Sequence, residues 1–190
     1  MSLVRIVPLA VLVVFTVAEH AVAQASTYRV LATTRTSTMQ KEMQEAGDAG
    51  FRFVAVMGGE TEFGGKEVVT LMEKAPGETG QFDYLVLATN KTSTLERELR
   101  EAGDAGFVVV GQTVFESVFG GKETAALLER RPSAPLERFE YRLVATSKTS
   151  TMQRELQALA DQGFQAIDMT VGITAIGGNE VVVITRRKAQ

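Results

Sequence analysis

The chain has 190 residues, a formal net charge of −3 and no cysteine or tryptophan, and its one histidine is His20. Once the N-terminal segment that contains His20 is removed, the residue types needed for cysteine or Ser-His catalysis, the usual zinc sites and His- or Cys-ligated haem are gone. The 20 basic and 23 acidic residues give no basic excess, so we expect no binding to nucleic acid or to an anionic membrane. We also expect no cofactor and no metal.

Residues 1–25 have the composition of a signal peptide. Arg5 precedes an apolar run over residues 6–18, and small residues follow, which is the order of regions in a secretory signal. The run is shorter than the ~20 residues that a membrane-spanning helix needs. Small-x-small sites end at Ala23 and Ala25, and we expect cleavage at one of them. The mature chain is then periplasmic or secreted, with no stable membrane insertion.

The rest of the chain consists of three similar units, which begin at Tyr28, Tyr84 and Tyr141. Each unit has an apolar run, a Thr-x-Lys/Arg-Thr-Ser-Thr motif, an amphipathic segment, a Gly-Phe pair and two further apolar runs around a Gly-Gly pair. Such self-similarity indicates a repeat protein, and prolines mark the linkers between the units. The predicted division is a signal peptide at 1–25, repeat 1 at 26–74, a linker at 75–83, repeat 2 at 84–130, a linker at 131–140 and repeat 3 at 141–190.

The amphipathic segment of each unit is predicted to form a helix. In repeat 1, Met39, Met43 and Ala46 recur at i, i+4 and i+7, which gives the helix one apolar stripe. Each helix is expected to end at a glycine in the left-handed conformation. These glycines are Gly50, Gly106 and Gly163.

The third apolar run of each unit is predicted to be the central strand of a three-stranded sheet. In repeat 3 this run, from Val181 to Ile184, is apolar without alternation, as expected of a strand buried on both faces. The glycine pair before it predicts a hairpin with the second strand. The fold class is therefore α+β, with three tandem β-α-β-β repeats, each a sheet of order 1-3-2 with one helix on one face.

One helix leaves the other face of each sheet uncovered. The second strand of repeat 2 nevertheless has apolar residues at both parities, Phe107 and Val109 as well as Val108 and Val110. We expect the open faces to meet sister repeats, around a pseudo-threefold axis or as one extended sheet, or else a second chain in a homo-oligomer.

The motif Ala-Gly-x-x-Gly-Phe-x-x-Val at residues 46–54, with the strand that begins at Tyr28, resembles a small bacterial domain family of unknown function. In that family a strand, a helix ending in a Gly-x-x-Gly-aromatic turn and two further strands form one unit. The usual aromatic there is tryptophan, whereas this chain has Phe51, Phe107 and Phe164. The resemblance implies the fold and no activity, so it transfers no functional residue.

The helix starts are the candidate binding sites. A basic residue stands two positions before a serine, and the serine and a Gln or Glu three residues later form a capping-box pattern. Free amides, a cation and hydroxyl groups together suit an anion, whereas a capping serine would already use those amides. The candidate anion-binding residues are Arg35, Ser37, Lys91, Ser93, Lys148 and Ser150.

Acidic residues offer two weaker candidate sites, one for a cation and one for acid–base catalysis. Counting outward from Gly64 and Gly65 puts Glu62 opposite Glu67, where a cation such as calcium is conceivable, but the other repeats lack this pair. Asp168 stands in the second strand of repeat 3, where it is a candidate general acid or base if buried and an ordinary surface residue if exposed.

The composition and the repeats favour an exported, non-enzymatic binding or scaffold protein, whose ligand is an unknown protein, glycan or small molecule. The alternative is a glycosidase-like hydrolase that uses Asp168 with a nearby glutamate. That mechanism needs two carboxyl groups about 5 to 10 Å apart in a cleft.

Overall fold

A computed structural model describes residues 25–61, 65–116, 121–174 and 178–189. Within these ranges the chain forms nine strands and three helices in the order expected of three β-α-β-β units. They are β1 (Thr27–Thr33), α1 (Thr36–Asp48), β2 (Arg52–Thr61), β3 (Gly65–Lys74), β4 (Asp83–Thr89), α2 (Thr92–Asp104), β5 (Val108–Glu116), β6 (Lys122–Arg130), β7 (Phe139–Thr146), α3 (Thr149–Ala160), β8 (Gln165–Thr174) and β9 (Gly178–Lys188). None of the three helices has the length and apolar character to cross a bilayer.

Each repeat forms its own three-stranded sheet, and the third strand of the repeat is central. The orders are β1-β3-β2, β4-β6-β5 and β7-β9-β8, and both outer strands run antiparallel to the central one. This confirms the α+β class and the 1-3-2 order. The three sheets are separate, so the expectation of one extended sheet is wrong.

The hairpin register differs from the prediction in repeat 1. Gly65 already pairs with Thr61 as the first residue of β3, and Glu67 therefore lies opposite Gly59. The predicted facing pair of Glu62 and Glu67 is wrong for this reason, and Glu62 itself lies outside the described residues. The second strand of every repeat also contains a β-bulge, which in β2 lies between Phe53 and Ala55.

Helix α1 lies between the sheet of its own repeat and the sheet of repeat 2. Its apolar stripe shares one core with Val68 and Met72 of β3 and with Tyr84 and Leu127 of the next repeat. Helix α2 repeats the arrangement between the second and third sheets. The central strand β6 therefore has buried side chains on both faces. The open faces of the second and third sheets are therefore each covered by the helix of the preceding repeat.

Helix α3 has no following sheet. It packs against β7 and β8 of its own repeat, and none of its residues is buried. A closed pseudo-threefold ring would place α3 on the first sheet, and no such packing exists among the described elements. The repeats form an open array, with the outer face of sheet β1-β3-β2 at one end and α3 at the other.

The helices approach the following strand very closely, and a glycine makes this possible. A Cβ atom at Gly47 would overlap the carbonyl oxygen of Phe82 and lie 2.9 Å from the ring of Tyr84, and Gly103 has the same relation to Phe139 and Tyr141. The helices end as predicted, since Gly50, Gly106 and Gly163 have φ of 85°, 83° and 85°.

The substitution Gly103→Ala tests this packing by the sign of its effect. Helix propensity alone would stabilise the protein by about 1 kcal/mol. We expect destabilisation instead, because forcing an atom into a filled contact costs about 1–3 kcal/mol. Denaturant unfolding measures the difference, with Glu101→Ala on the exposed side of the same helix as the control. A stabilised Gly103→Ala protein would contradict the close approach.

Candidate functional site

The structure places the predicted anion-binding residues at three separate helix starts. Arg35, Lys91 and Lys148 are the N-cap residues of α1, α2 and α3, and no side chain caps any of the three helices. Ser37, Ser93 and Ser150 lie inside the first turn, so their predicted role as capping residues is wrong. The cause is local: the hydroxyl of Thr33 accepts a hydrogen bond from the amide of Arg35 at 3.2 Å, and the helix begins two residues earlier than a serine cap would start it. Anion binding at these positions stays a prediction.

Asp168 lies in β8 opposite Ile184. Its carboxylate accepts a hydrogen bond from the amide of Met169 at 2.8 Å. Within the described part of the chain it makes no ion pair. No hydrogen bond among the described residues joins Asp168 to a second carboxyl group.

The most elaborate polar contacts lie where helix α1 meets strand β4. β4 is an edge strand, so its outward backbone groups need partners. The side-chain amide of Gln40 donates to the carbonyl of Tyr84 at 2.8 Å and accepts from the amide of Val86 at 2.7 Å. Gln44 donates to the carbonyl of Phe82 at 3.4 Å and accepts from the amide of Tyr84 at 3.0 Å. Two glutamines thus replace a neighbouring strand along β4.

The side chain of Tyr84 adds a second set of polar contacts between repeats 1 and 2. Its hydroxyl accepts a hydrogen bond from the amide of Phe53 at 2.8 Å, and the carbonyl oxygen of Phe51 lies 3.2 Å away. It donates to the carboxylate of Glu129 at 2.8 Å. Arg52 of the first repeat binds that carboxylate at 2.8 and 3.1 Å. The Tyr84 side chain therefore connects the backbone of β2 with a buried, paired carboxylate.

Burial sets the electrostatics of this network. It raises the pKa of Tyr84 above its usual range, and the adjacent charge of Glu129 adds to the effect. The hydrogen bond to Glu129 raises the pKa of Arg52. At neutral pH the phenol is therefore protonated, which is the state that its donated hydrogen bond to Glu129 requires.

The interface between repeats 2 and 3 has the same tyrosine contacts but different residues at the glutamine positions. The hydroxyl of Tyr141 accepts from the amide of Val109 and donates to the carbonyl of Phe107, both at 3.0 Å. Where α1 has Gln40 and Gln44, α2 has Glu96 and Arg100. Glu96 forms an ion pair of 3.6 Å with Arg142 of the following repeat. The tyrosine anchor is thus common to both interfaces, whereas the glutamine pair belongs to α1.

The glutamine pair recurs in α3, where no strand of the described residues binds it. Gln153 and Gln157 hold the positions of Gln40 and Gln44 in the repeat, and Met152 and Leu156 hold those of Met39 and Met43. These four residues line a groove of about 420 Å³ on the surface of α3. We call it the α3 groove. Its other walls include Thr149, Ala160, Phe164, Ala166 and Thr185.

A larger depression of about 660 Å³ lies under the second linker. Arginines and acidic residues line it, but their charges are already paired: Arg52 with Glu129, and Arg130 with Asp83 at 2.6 Å. A charged ligand there would have to displace these ion pairs. The α3 groove is the better candidate site because, in the described part of the chain, no strand binds the side-chain amides that line it.

No family model, no curated protein and no solved structure matches this chain. The site therefore depends on its own geometry. Sequence reasoning missed it, although the glutamine pair at identical positions in repeats 1 and 3 was a visible signal.

The substitution Tyr84→Phe tests the anchor. Without the hydroxyl, the amide of Phe53 and the buried carboxylate of Glu129 each lose a partner, which costs about 1–3 kcal/mol. Tyr28→Phe is the matched control, because Tyr28 is the same residue of repeat 1 and is 60% exposed against 3% for Tyr84. Chemical denaturation should show a loss for Tyr84→Phe alone. Equal effects of the two substitutions would contradict the anchor.

The same pair of variants has a signature at high pH. The pKa of Tyr84 is raised in the folded state, so its contribution is complete below the unfolded pKa of about 10 and is lost as pH rises above it. The stability difference between wild type and Tyr84→Phe should therefore shrink above about pH 10. A difference that stays constant up to about pH 12 would oppose this account.

Proposed function

We propose that the chain is an exported, non-enzymatic binding or scaffold protein that holds an extended β-strand of a partner in the α3 groove. The observation that carries the proposal is the correspondence between α3 and α1. The groups with which α1 holds β4 are present on α3, in the same order along the helix, and no strand of the described chain occupies them.

The groove supplies two kinds of interaction to a strand. Met152 and Leu156 offer an apolar floor, and each buried methylene stabilises a complex by about 0.8 kcal/mol. The amides of Gln153 and Gln157 offer a donor and an acceptor each, which suits the alternating carbonyl and amide groups of a strand edge. Binding through backbone groups is tolerant of sequence, and the apolar floor selects side chains at alternate positions.

Gln157 is already held in a binding orientation. Its amide nitrogen donates to Asp161 at 2.9 Å, and Gln44 makes the same bond to Asp48 at 2.9 Å while it binds β4. A side chain held in this way loses less conformational freedom when the strand arrives. The bond therefore supports the comparison between the two helices.

Export belongs to the same proposal and is supported by the composition of residues 1–25. The proposed kinship with the small bacterial domain family is supported by the repeat architecture alone. The glycosidase alternative has less support, because the one hydrogen bond of Asp168 among the described residues is to the amide of Met169 and not to a second carboxyl group. Capture of a strand is the activity to test first.

A labelled peptide with the sequence of residues 81–89, which contains β4, tests the proposal. When the full chain is titrated into the labelled peptide, the peptide should bind in the α3 groove, and its fluorescence anisotropy should rise. Leu156→Arg should abolish binding, and Gln153→Ala should weaken it by roughly tenfold because two hydrogen bonds are lost. Arg154→Ala, an exposed neighbour outside the groove, is the control and should bind as the wild type does.

A second peptide controls for unspecific apolar binding. It carries Val86→Pro, which removes the backbone N–H that would donate a hydrogen bond to the side-chain oxygen of Gln153. The apolar side chains on either side of this position are unchanged. This peptide should bind at least about tenfold more weakly. Equal binding of both peptides, or binding that survives Leu156→Arg, would rule out strand capture by α3.

A further inference from the structure

The exposed large apolar side chains of the described residues gather at the two ends of the repeat array. Outside the second linker, where Leu136 lies, all of them belong to an end. They are Tyr28, Val30, Val54 and Met57 in the first sheet and Met169 and Val171 in the last. Concentrated exposed apolar residues mark interaction surfaces.

The four residues at the first end correspond to interface residues inside the array. Tyr28 and Val30 hold the repeat positions of Tyr84 and Val86, whose strand lies under α1. We call Tyr28, Val30, Val54 and Met57 the N-terminal end face. It is the surface that receives a helix in repeats 2 and 3, whereas no described helix of another repeat covers it in repeat 1.

The last repeat exposes the other side of the interface between repeats, the side that a helix and the second strand form. Met169 and Val171 hold the positions of Val56 and Gly58, through which β2 contacts β5 of the next repeat. Together with Met152 and Leu156 of the α3 groove they form the C-terminal end face. Met169 is 67% exposed.

The two end faces are therefore the two halves of one interface that already forms twice inside each chain. We infer that copies of this chain associate head to tail, with strand β1 of one copy in the α3 groove of the next. The inference rests on the proposed function of the groove and names its occupant. The contact is heterologous, because different surfaces of the two copies meet, and so it can extend into chains or close into rings.

The polar groups of the two ends match as well. The side chain of Tyr28 makes no hydrogen bond within the described part of the chain and is 60% exposed, so its hydroxyl can play the part of Tyr84. The backbone of Phe164 and Ala166 in the groove corresponds to the Phe51 and Phe53 groups that bind Tyr84. Gln153 and Gln157 would take the amides and carbonyls of β1, as Gln40 and Gln44 take those of β4.

One residue departs from the internal pattern and sets the strength of the contact. Ala160 stands where α1 and α2 have Gly47 and Gly103, and a Cβ atom at those glycines would overlap the next strand. The strand of a second copy must therefore sit farther from α3 than β4 does from α1. Association between copies is weaker than the packing between repeats and depends on concentration.

Sedimentation velocity over a range from about 5 µM to 500 µM tests the inference. The full-length chain, as its expression host processes it, should shift from monomer to larger species as the concentration rises. Leu156→Arg blocks the C-terminal end face and Val30→Asp blocks the N-terminal end face. Each variant alone should stay monomeric. Val30 is exposed and Leu156 is half-buried with no fully buried neighbour on its helix, and circular dichroism checks that both variants fold.

Mixing the two blocked variants decides the orientation. Val30→Asp keeps a working α3 groove and Leu156→Arg keeps a working β1, so the mixture should form a dimer with one copy of each and nothing larger. A mixture that stays monomeric would overturn the inference. Self-association of Val30→Asp at wild-type strength would also overturn it, because the groove would then hold something other than β1.

A substitution that strengthens the association between copies provides a further test, because a misfolded variant could not produce that result. Ala160→Gly restores the glycine of the internal interfaces and should lower the dissociation constant between copies by at least about fivefold. Ala158→Gly, an exposed position on the same helix, controls for the general effect of a glycine. An unchanged or weaker association of Ala160→Gly would count against the β1 docking geometry.

Failure of the inference and failure of the proposed function give different results. If the peptide of residues 81–89 binds α3 while the chain stays monomeric at every concentration, the groove captures strands but not β1 of a second copy. If neither the peptide nor a second copy binds, strand capture itself is wrong.

Discussion

A three-stranded sheet has two faces to cover, and each repeat makes only one helix. The chain meets this constraint by sharing: α1 covers its own sheet and the next, and α2 does the same. Glycine at the contact allows helix and strand to approach until their backbones touch, as the hydrogen bond from the amide of Phe82 to the carbonyl of Gly47 shows. A repeat is therefore complete only when a neighbour stands on each side of it.

The sharing also solves the problem of exposed strand edges. The outward backbone groups of β4 bind the amides of Gln40 and Gln44, and the start of β2 binds the hydroxyl of Tyr84. Edges covered in this way cannot pair with other chains. At the ends of the array these groups have no partner repeat among the described residues. The proposed binding of a strand by α3 depends on that difference.

Local sequence signals predicted the local structure well. The glycine after each helix and the unbroken apolar run of β9 gave the helix ends and the central strands correctly, because both depend on neighbours in sequence. The starts of the helices were wrong, since the hydroxyl of Thr33 binds the amide of Arg35 and displaces the serine cap. The contact of Tyr84 with Glu129 joins residues 45 positions apart, and no local pattern encodes which edge a helix will face. The α3 groove could be predicted from the sequence only by comparing Gln153 and Gln157 with Gln40 and Gln44.

Hydrogen exchange at four backbone amides tests most directly whether the helix of one repeat completes the edge of the next. Tyr84 and Val86 in β4 donate to the glutamines of α1. Tyr28 and Val30 hold the same positions in β1, and no helix side chain among the described residues accepts from their amides. In dilute solution, exchange measured by NMR should be slow at Tyr84 and Val86 and fast at Tyr28 and Val30. Equal rates at the two pairs of amides would contradict the account.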